Sequence, residues 1–182
     1  MACSGPRSLQ LGGRVSDGVL FQVGSEPSFV QYVLDNIRIG AEQVGPKLED
    51  IKLFMRLACA VSADRDKVRE QVKGYAAVAA YTTFQTVPRK YFPDQLWDEL
   101  SYFNSKFDLY QHGENQAKHN ALLTERIIDG IAVAGAPDEA VPRFQALADM
   151  GIDGFVCPTG MDDAMEFIRL FGEEVVARVV FN

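Results

Sequence analysis

Apolar positions along the chain alternate between two rhythms. Residues 18–23 form a short, largely apolar run bounded by Asp-Gly and Gly-Ser, the pattern of a strand buried in a parallel sheet. Ser25-Glu26-Pro27 then marks a helix start. Phe29, Val30, Val33, Leu34, Ile37, Ala41 and Val44 recur at threes and fours until Gly45-Pro46 ends the helix. Ile51 to Val61 predicts a second buried strand, and Asp64 is placed to cap a helix with Val68, Val72, Tyr75, Ala76 and Ala79 on one face. From Tyr81 to Asn120 the period loosens. Tyr91, Phe92, Trp97, Tyr102, Phe103, Phe107 and Tyr110 stand among charges there, which predicts short helices in an insertion over residues 82–120. The aromatics read as the packing of that insertion, with a lid or partner surface as the other use of such a segment. A helical turn starts at Thr124, and residues 131–135 follow. Pro137-Asp138-Glu139 opens a helix with Val141, Phe144, Leu147 and Ala148 buried and Gly151 as its stop. Residues 154–158 predict a third short strand, and Asp162 begins a last helix through Met165, Ile168 and Leu170.

The opening segment adds one unit. Residues 2–7 (ACSGPR) read as the tail of a strand and a Gly-Pro turn; a short helix follows, and Asp17-Gly18 leads into the next strand. A ligand-binding turn normally follows the carboxyl end of a strand with a domain before it. Only three residues precede Ser4, so the expectation is a chain that begins inside a larger fold. About four strand–helix units result, forming one α/β domain over residues 1–182 with a parallel sheet. A doubly wound sheet and part of a (βα)8 TIM barrel both fit. Four units make half a barrel, a complete one taking ~250 residues.

The net charge of −7 and the absence of any Lys/Arg run argue against a nucleic-acid surface. No stretch approaches the ~20 apolar residues that span a membrane, and the first residues lack the basic region and long apolar run expected of a signal peptide. Cys3, Cys59 and Cys157 are distant and lack CxxC spacing, so neither a disulfide framework nor a zinc site is indicated. Reduced thiols in a cytoplasmic protein are the simple expectation, with Cys59 and Cys157 in the core. His112 and His119, the only histidines, lie in a polar stretch without metal-ligand company and read as solvated. Asp17 reads as a turn residue, and Asp162 and Asp163 as helix-capping groups. Arg7 reads equally as an anion contact or a solvated cation. No P-loop, GxSxG, HExxH or GxGxxG is present.

Several segments carry a resemblance. Residues 2–7 with 13–20 (GRVSDGVL) resemble the stretch from the fifth to the sixth strand in the bacterial-luciferase-like superfamily of flavin and deazaflavin oxidoreductases. Residues 123–140 (LTERIIDGIAVAGAPDEA) resemble its segment before the final strand, and 151–156 (GIDGFV) its entry to the eighth strand. Together they span nearly the whole chain. The Gly-Pro-Arg form is most similar to the branch using coenzyme F-420, which includes methylenetetrahydromethanopterin reductases and F-420-dependent dehydrogenases; FMN is the alternative cofactor.

The resemblance implies the last four βα units of a (βα)8 barrel, a C-terminal half, with the helical insertion before the final unit. It implies a cofactor at the carboxyl ends of the strands. Ala2, Cys3, Ser4, Gly5 and Pro6 would lie against the ring and its side chain, and Gln22, Val23 and Gly24 near the tail or phosphate. A glycine lets backbone approach a flat ring or an anion, and a helix start favours a phosphate. The family's first four strands have no counterpart here. In relatives they supply the substrate pocket and the groups nearest hydride transfer, so no catalytic residue is assigned. The expectation is an oxidoreductase fragment that acts only when another half completes it. The alternative is a truncated, non-catalytic half-barrel, its cofactor lost, serving as an oligomerising or small-ligand- or protein-binding module. A free-standing doubly wound domain is the third reading. Open sheet edges predict a homodimer or other homo-oligomer in either of the first two cases.

Overall fold

A computed structural model describes residues 1–45, 48–114, 116–158 and 164–181. The predicted alternation appears as β1 (Ala2–Cys3), α1 (Pro6–Val15), β2 (Gly18–Phe21), α2 (Pro27–Glu42), β3 (Lys52–Arg56) and β4 (Ala58–Val61). These are followed by α3 (Arg65–Gln71), α4 (Lys73–Thr86), α5 (Asp94–Ser105), α6 (Glu125–Ile131), β5 (Ala132–Gly135), α7 (Pro137–Asp149), β6 (Gly154–Val156) and α8 (Ala164–Leu170). Single-turn helices fill several of the connections.

Four strands form one parallel sheet in the order β1-β2-β3-β6. The register aligns Cys3, Phe21, Met55 and Phe155 in one row and Ala2, Leu20, Phe54 and Gly154 in the next. Because side chains alternate along a strand, the first row faces the helices, where Cys3, Phe21 and Met55 are buried. The second row faces the opposite side, called here the inner face. Phe54 is 41% exposed there, and Val156, two residues beyond Gly154 along β6, is 45% exposed. A parallel sheet is ordinarily covered on both faces; this one carries its helices on one.

The outer layer is tightly packed. Gly12 of α1 lies over the sheet, where a Cβ would meet Val19 at 2.9 Å and the Cys3 sulfur at 3.1 Å. At the crossing of α1 and α2 the backbones touch: a Cβ on Gly13 would run into the Ile37 carbonyl, and one on Gly40 into the Gln10 carbonyl. Gly151 ends α7 with a positive φ of 94°, its N–H donating to the Ala148 carbonyl at 2.9 Å.

The single strand expected over 51–61 is two. The N–H of Leu57 makes a bond to the Val156 carbonyl (3.1 Å), after which the chain leaves β6 and β4 pairs with β5 in a separate parallel ladder. The helix after Asp64 is also divided, although helical bonds run through Val72 across the junction. Asp64 caps it as expected, accepting from the Lys67 N–H at 3.0 Å. Tyr75 is turned outward, 37% exposed, because Ala76, Ala77, Ala79 and Ala80 form the closely packed face of α4.

Between α4 and α6 the aromatics divide into two groups. Phe92 packs on Phe29 and Trp97, with centroids 4.6 and 5.1 Å apart. Phe103 and Phe107 pack around the His119 ring. His119 is therefore buried rather than solvated; its Nδ1 accepts from the Asp108 N–H at 3.3 Å. His112 is exposed as expected. Cys59 is buried and Cys157 only partly so. The last helix appears as α8, where Met165 and Ile168 face outward, Phe167 is buried and Leu170 is half-buried against the core. Asp162 and Asp163 lie outside the described residues. Among the described residues no helix is long and apolar enough to cross a membrane.

Candidate functional site

The carboxyl ends of β1, β2, β3 and β6 lie along one rim of the sheet, where a parallel α/β fold places its ligands. The turn after β1 is held by its own helix start. Pro6 is the first residue of α1, Gly5 is its cap residue, and the Gly5 carbonyl accepts from the Leu9 N–H (3.0 Å) and the Ser8 hydroxyl (2.9 Å). A Cβ on Gly5 would meet nothing nearer than the Ser8 hydroxyl at 3.9 Å. Packing does not demand glycine here; the open space lets a flat or anionic group reach the backbone.

The eight residues expected to touch a cofactor divide by strand alternation. Ala2, Ser4 and Gln22 fall on inner-face positions, and Gly5 and Pro6 form the rim. Cys3 and Val23 are buried toward the helices, and burial pushes the Cys3 thiol above its ordinary pKa despite the nearby amino terminus. Cys3 can offer a ligand only its backbone. Gly24 is a packing glycine: a Cβ there would lie 2.5 Å from the Gly130 carbonyl and 2.8 Å from the Ile131 side chain. Ser25, next in the chain, donates to the Asp129 carbonyl (3.0 Å) and contacts the Ala132 carbonyl (3.2 Å). The loop after β2 thus also anchors α6 and β5.

Sequence reasoning missed Arg56. It occupies the last position of β3, in register with Val156, and its guanidinium donates to the Gln22 side-chain oxygen. Gln22 and Arg56 meet Ala58, Tyr75 and Pro158 at the rim. A single arginine inside the apolar run 51–61 was the available signal: a charge in a buried strand needs a partner or an opening. Arg56 supplies a cation on the same rim as the Gly5 turn, with β2 between them, complementary to an anionic ligand.

A second concavity lies on the helix side. A cleft of about 470 Å3 is lined by Ser25, Arg65, Arg69, Asp129, Glu139 and Arg143, among others. Arg69, 7% exposed, pairs with Asp129 at 3.0 Å and Glu125 at 2.5 Å. Arg143 donates to the Ser25 hydroxyl at 2.9 Å and to the Asp129 carbonyl. Burial holds the Arg143 guanidinium below its ordinary pKa, with Asp129 opposing and Arg69 adding to the effect. Acids offset these cations within the cleft, so it reads as a brace joining α6 and β5 to α2, α3 and α7. Cys59 and Cys157 form a thiol pair nearby. Burial raises the Cys59 pKa well above its ordinary value, with the hydrogen bond to Cys157 adding. Among the described residues no group of three or more His, Cys, Asp or Glu is arranged to hold a metal.

The sequence model of the luciferase-like monooxygenase family matches residues 1–154. An F-420-dependent glucose-6-phosphate dehydrogenase of Nakamurella multipartita is 24% identical over 180 residues, covering 98% of this chain and 47% of that protein. A 5,10-methylenetetrahydromethanopterin reductase of Methanolobus tindarius is 27% identical over 183 residues, covering 97% and 52%. The structure of the coenzyme F-420-dependent tetrahydromethanopterin reductase from Methanopyrus kandleri superposes with a TM-score of 0.73 at 22% identity, covering 99% of this chain and 50% of that one. The chain thus spans about half the length of the relatives it matches, and its α/β fold matches about half of a barrel.

Proposed function

Because the chain belongs to the luciferase-like monooxygenase family, we propose that it is the C-terminal half of a flavin- or coenzyme F-420-dependent oxidoreductase barrel, active in hydride transfer only when a complementary half closes it. The observation that carries this reading is the rim itself. An open glycine turn at the head of α1 shares the carboxyl-end rim with the Gln22–Arg56 pair, on four parallel strands in chain order. F-420 is favoured as cofactor because two of the relatives described above, the glucose-6-phosphate dehydrogenase and the Methanopyrus kandleri reductase, are named for it; FMN is the alternative.

The residues present fit one side of such a group. The space beside Gly5 admits a flat ring or a phosphate against backbone, the start of α1 favours an anion, and Arg56 adds a positive charge held in place by Gln22. When bound, the cofactor would supply the hydride-accepting centre. The chain's own residues bind and orient it: Ala2, Ser4, Gly5 and Pro6 at the ring, Gln22 and Arg56 at the anionic part. Cys3, Val23 and Gly24 support the rim from behind.

One observation favours the second reading, a non-catalytic binding half-barrel. Among the described inner-face positions Ala2, Ser4, Leu20, Gln22, Phe54, Arg56 and Val156 there is no carboxylate, imidazole or thiol to move a proton.

Titration of the purified protein with F-420 and with FMN, followed by absorbance and fluorescence, tests the first reading. Micromolar binding is expected. Arg56→Ala should weaken it about tenfold, since a partly exposed charge-assisted hydrogen bond contributes ~1.5 kcal/mol. Failure of both cofactors to bind sinks the oxidoreductase reading and leaves the binding module.

A further inference from the structure

We propose that the inner face of the four-stranded sheet closes on a second copy of this chain, the two copies forming one eight-stranded parallel barrel with a shared carboxyl-end rim. The inference rests on reading the sheet as half of a barrel and is independent of what the barrel binds.

The strands fix the symmetry. Among the described residues, β1 pairs only with β2 and β6 only with β3, so the sheet has two open edges of the same polarity. A twofold axis along the barrel axis leaves every strand direction unchanged. It sets β1 of each copy beside β6 of the other, two identical junctions with no edge left over. Four strands from each copy give the eight of a barrel whose interior is filled by side chains. The inner face supplies suitable side chains. Phe54 and Val156 are exposed, Leu20 is half-buried, and the row through Leu20 and Phe54 ends in the small residues Ala2 and Gly154.

The helical layer carries a matching signal at both edges. In α1, Leu9 and Gly12 face the sheet, and Gln10 and Gly13 face α2. The helical turn of about 100° per residue then puts Leu11 and Val15 on the side away from α2. They are 43% and 66% exposed. At the other edge α8 follows β6 and exposes Met165 and Ile168 (74% and 52%). In the closed barrel α8 of one copy becomes the neighbour of α1 of the other, and these apolar surfaces meet. A second copy is favoured over an unrelated partner because both halves of each junction are present on this one chain. The rim then carries two Gln22–Arg56 pairs facing one mouth, and the candidate site is incomplete in either copy alone.

Light scattering on the full chain, without cofactor, is the test. The expected mass is twice 20.1 kDa at micromolar concentration. Phe54→Lys and, separately, Val156→Lys place a charge on the inner face at positions exposed in the protomer, and each should raise the dimer dissociation constant at least ~100-fold. Met165→Lys, on the outer layer at the junction, should weaken the dimer as well, whereas Ile39→Lys on the exposed side of α2 should leave it intact. Far-UV circular dichroism checks that each variant is folded. A monomer at all concentrations, a dimer indifferent to all three interface variants, or assembly only with a different protein overturns closure by a second copy. A dimer that binds neither F-420 nor FMN keeps the closure and overturns the cofactor reading; a monomer that binds one of them does the reverse.

Discussion

Replacing Gly40 by alanine tests the account of how α1 and α2 pack. In an open helix position Gly→Ala is stabilising by ~0.8–1 kcal/mol, because glycine loses more backbone freedom on folding. At Gly40 the new Cβ would occupy the space of the Gln10 carbonyl. That oxygen belongs to a helix backbone and cannot rotate aside, so the helices must separate by roughly 1 Å or more in a close-packed layer. Overpacking of this kind costs about 1–3 kcal/mol, and a contact this deep belongs at the upper end. Set against the propensity gain, the net loss is about 2 kcal/mol, and for a chain of this size Tm falls by roughly 4–8 °C. Gly13→Ala, which meets the Ile37 carbonyl at the same crossing, should cost a similar amount. The double variant should cost less than the sum, since one separation relieves both contacts. Gly172→Ala is the control: nothing lies within 4 Å of its Cβ position, so it should be neutral or slightly stabilising. Urea and thermal unfolding at one fixed protein concentration measure all four, because self-association makes apparent stability concentration-dependent. Gly40→Ala as stable as the parent, with Gly172→Ala behaving as expected, would refute the backbone-contact reasoning.

Two further predictions concern titrating groups. Asp153 joins β6 to β3, accepting from the Lys52 ammonium at 2.6 Å and the Leu53 N–H at 2.8 Å. Burial pushes its carboxyl up, but those two bonds and the Lys52 charge outweigh burial and hold its pKa below the ordinary 3.8. Its contribution is therefore fully present above pH 3.8 and is lost as pH falls through the lower folded-state value. Asp153→Asn should cost about 1 kcal/mol at neutral pH and flatten that acid limb in urea titrations; an unchanged limb refutes the pairing. His119 works in the other sense. Burial holds its imidazole below the ordinary 6.5, with Asp108 opposing, so the folded state resists a proton that the unfolded state accepts. Stability should fall as pH drops below 6.5, and the difference between parent and His119→Gln should shrink toward pH 5. Parallel pH profiles for the two proteins would count against a buried neutral imidazole.

The order of elements was legible because each carries a local pattern. The 3.6-residue period of α2, the capping Asp64 and the stop at Gly151 are written in neighbouring residues. What escaped depends on partners distant in sequence. The run 51–61 is largely apolar, charged only at Lys52 and Arg56, and neither charge reveals that its first half pairs with β2 and β6 and its second half with β5. His119 stands in a polar stretch and is buried only because Phe103 and Phe107 fold back over it. Gly24 carries the same letter as Gly5, yet one is glycine because Gly130 presses on it and the other has open space in front of it. Of the candidate site, the turn at residues 2–6 and Gln22 were named from the family resemblance alone. Arg56 was missed, because its role follows from strand register.

The two faces of the sheet explain why the fold and the chemistry come apart in this chain. The outer face is held by contacts that tolerate almost no change: glycine crossings between α1 and α2, aromatic clusters, and the Arg69–Asp129 brace. Those contacts keep four strands in register, and register is what brings Gln22, Arg56 and the Gly5 turn to one rim. Hydride transfer asks for more, since two reacting partners must be held within ~3–3.5 Å. A ring laid against the Gly5 turn would have one face on this wall and the other on open space, where the described inner-face positions carry no carboxylate, imidazole or thiol. The exposed Phe54 and Val156 leave that wall incomplete in the same direction. The surface that would bury these side chains and the surface that would cover the second face of a bound ring are therefore the same surface, and whatever closes the sheet also decides whether the site can do chemistry.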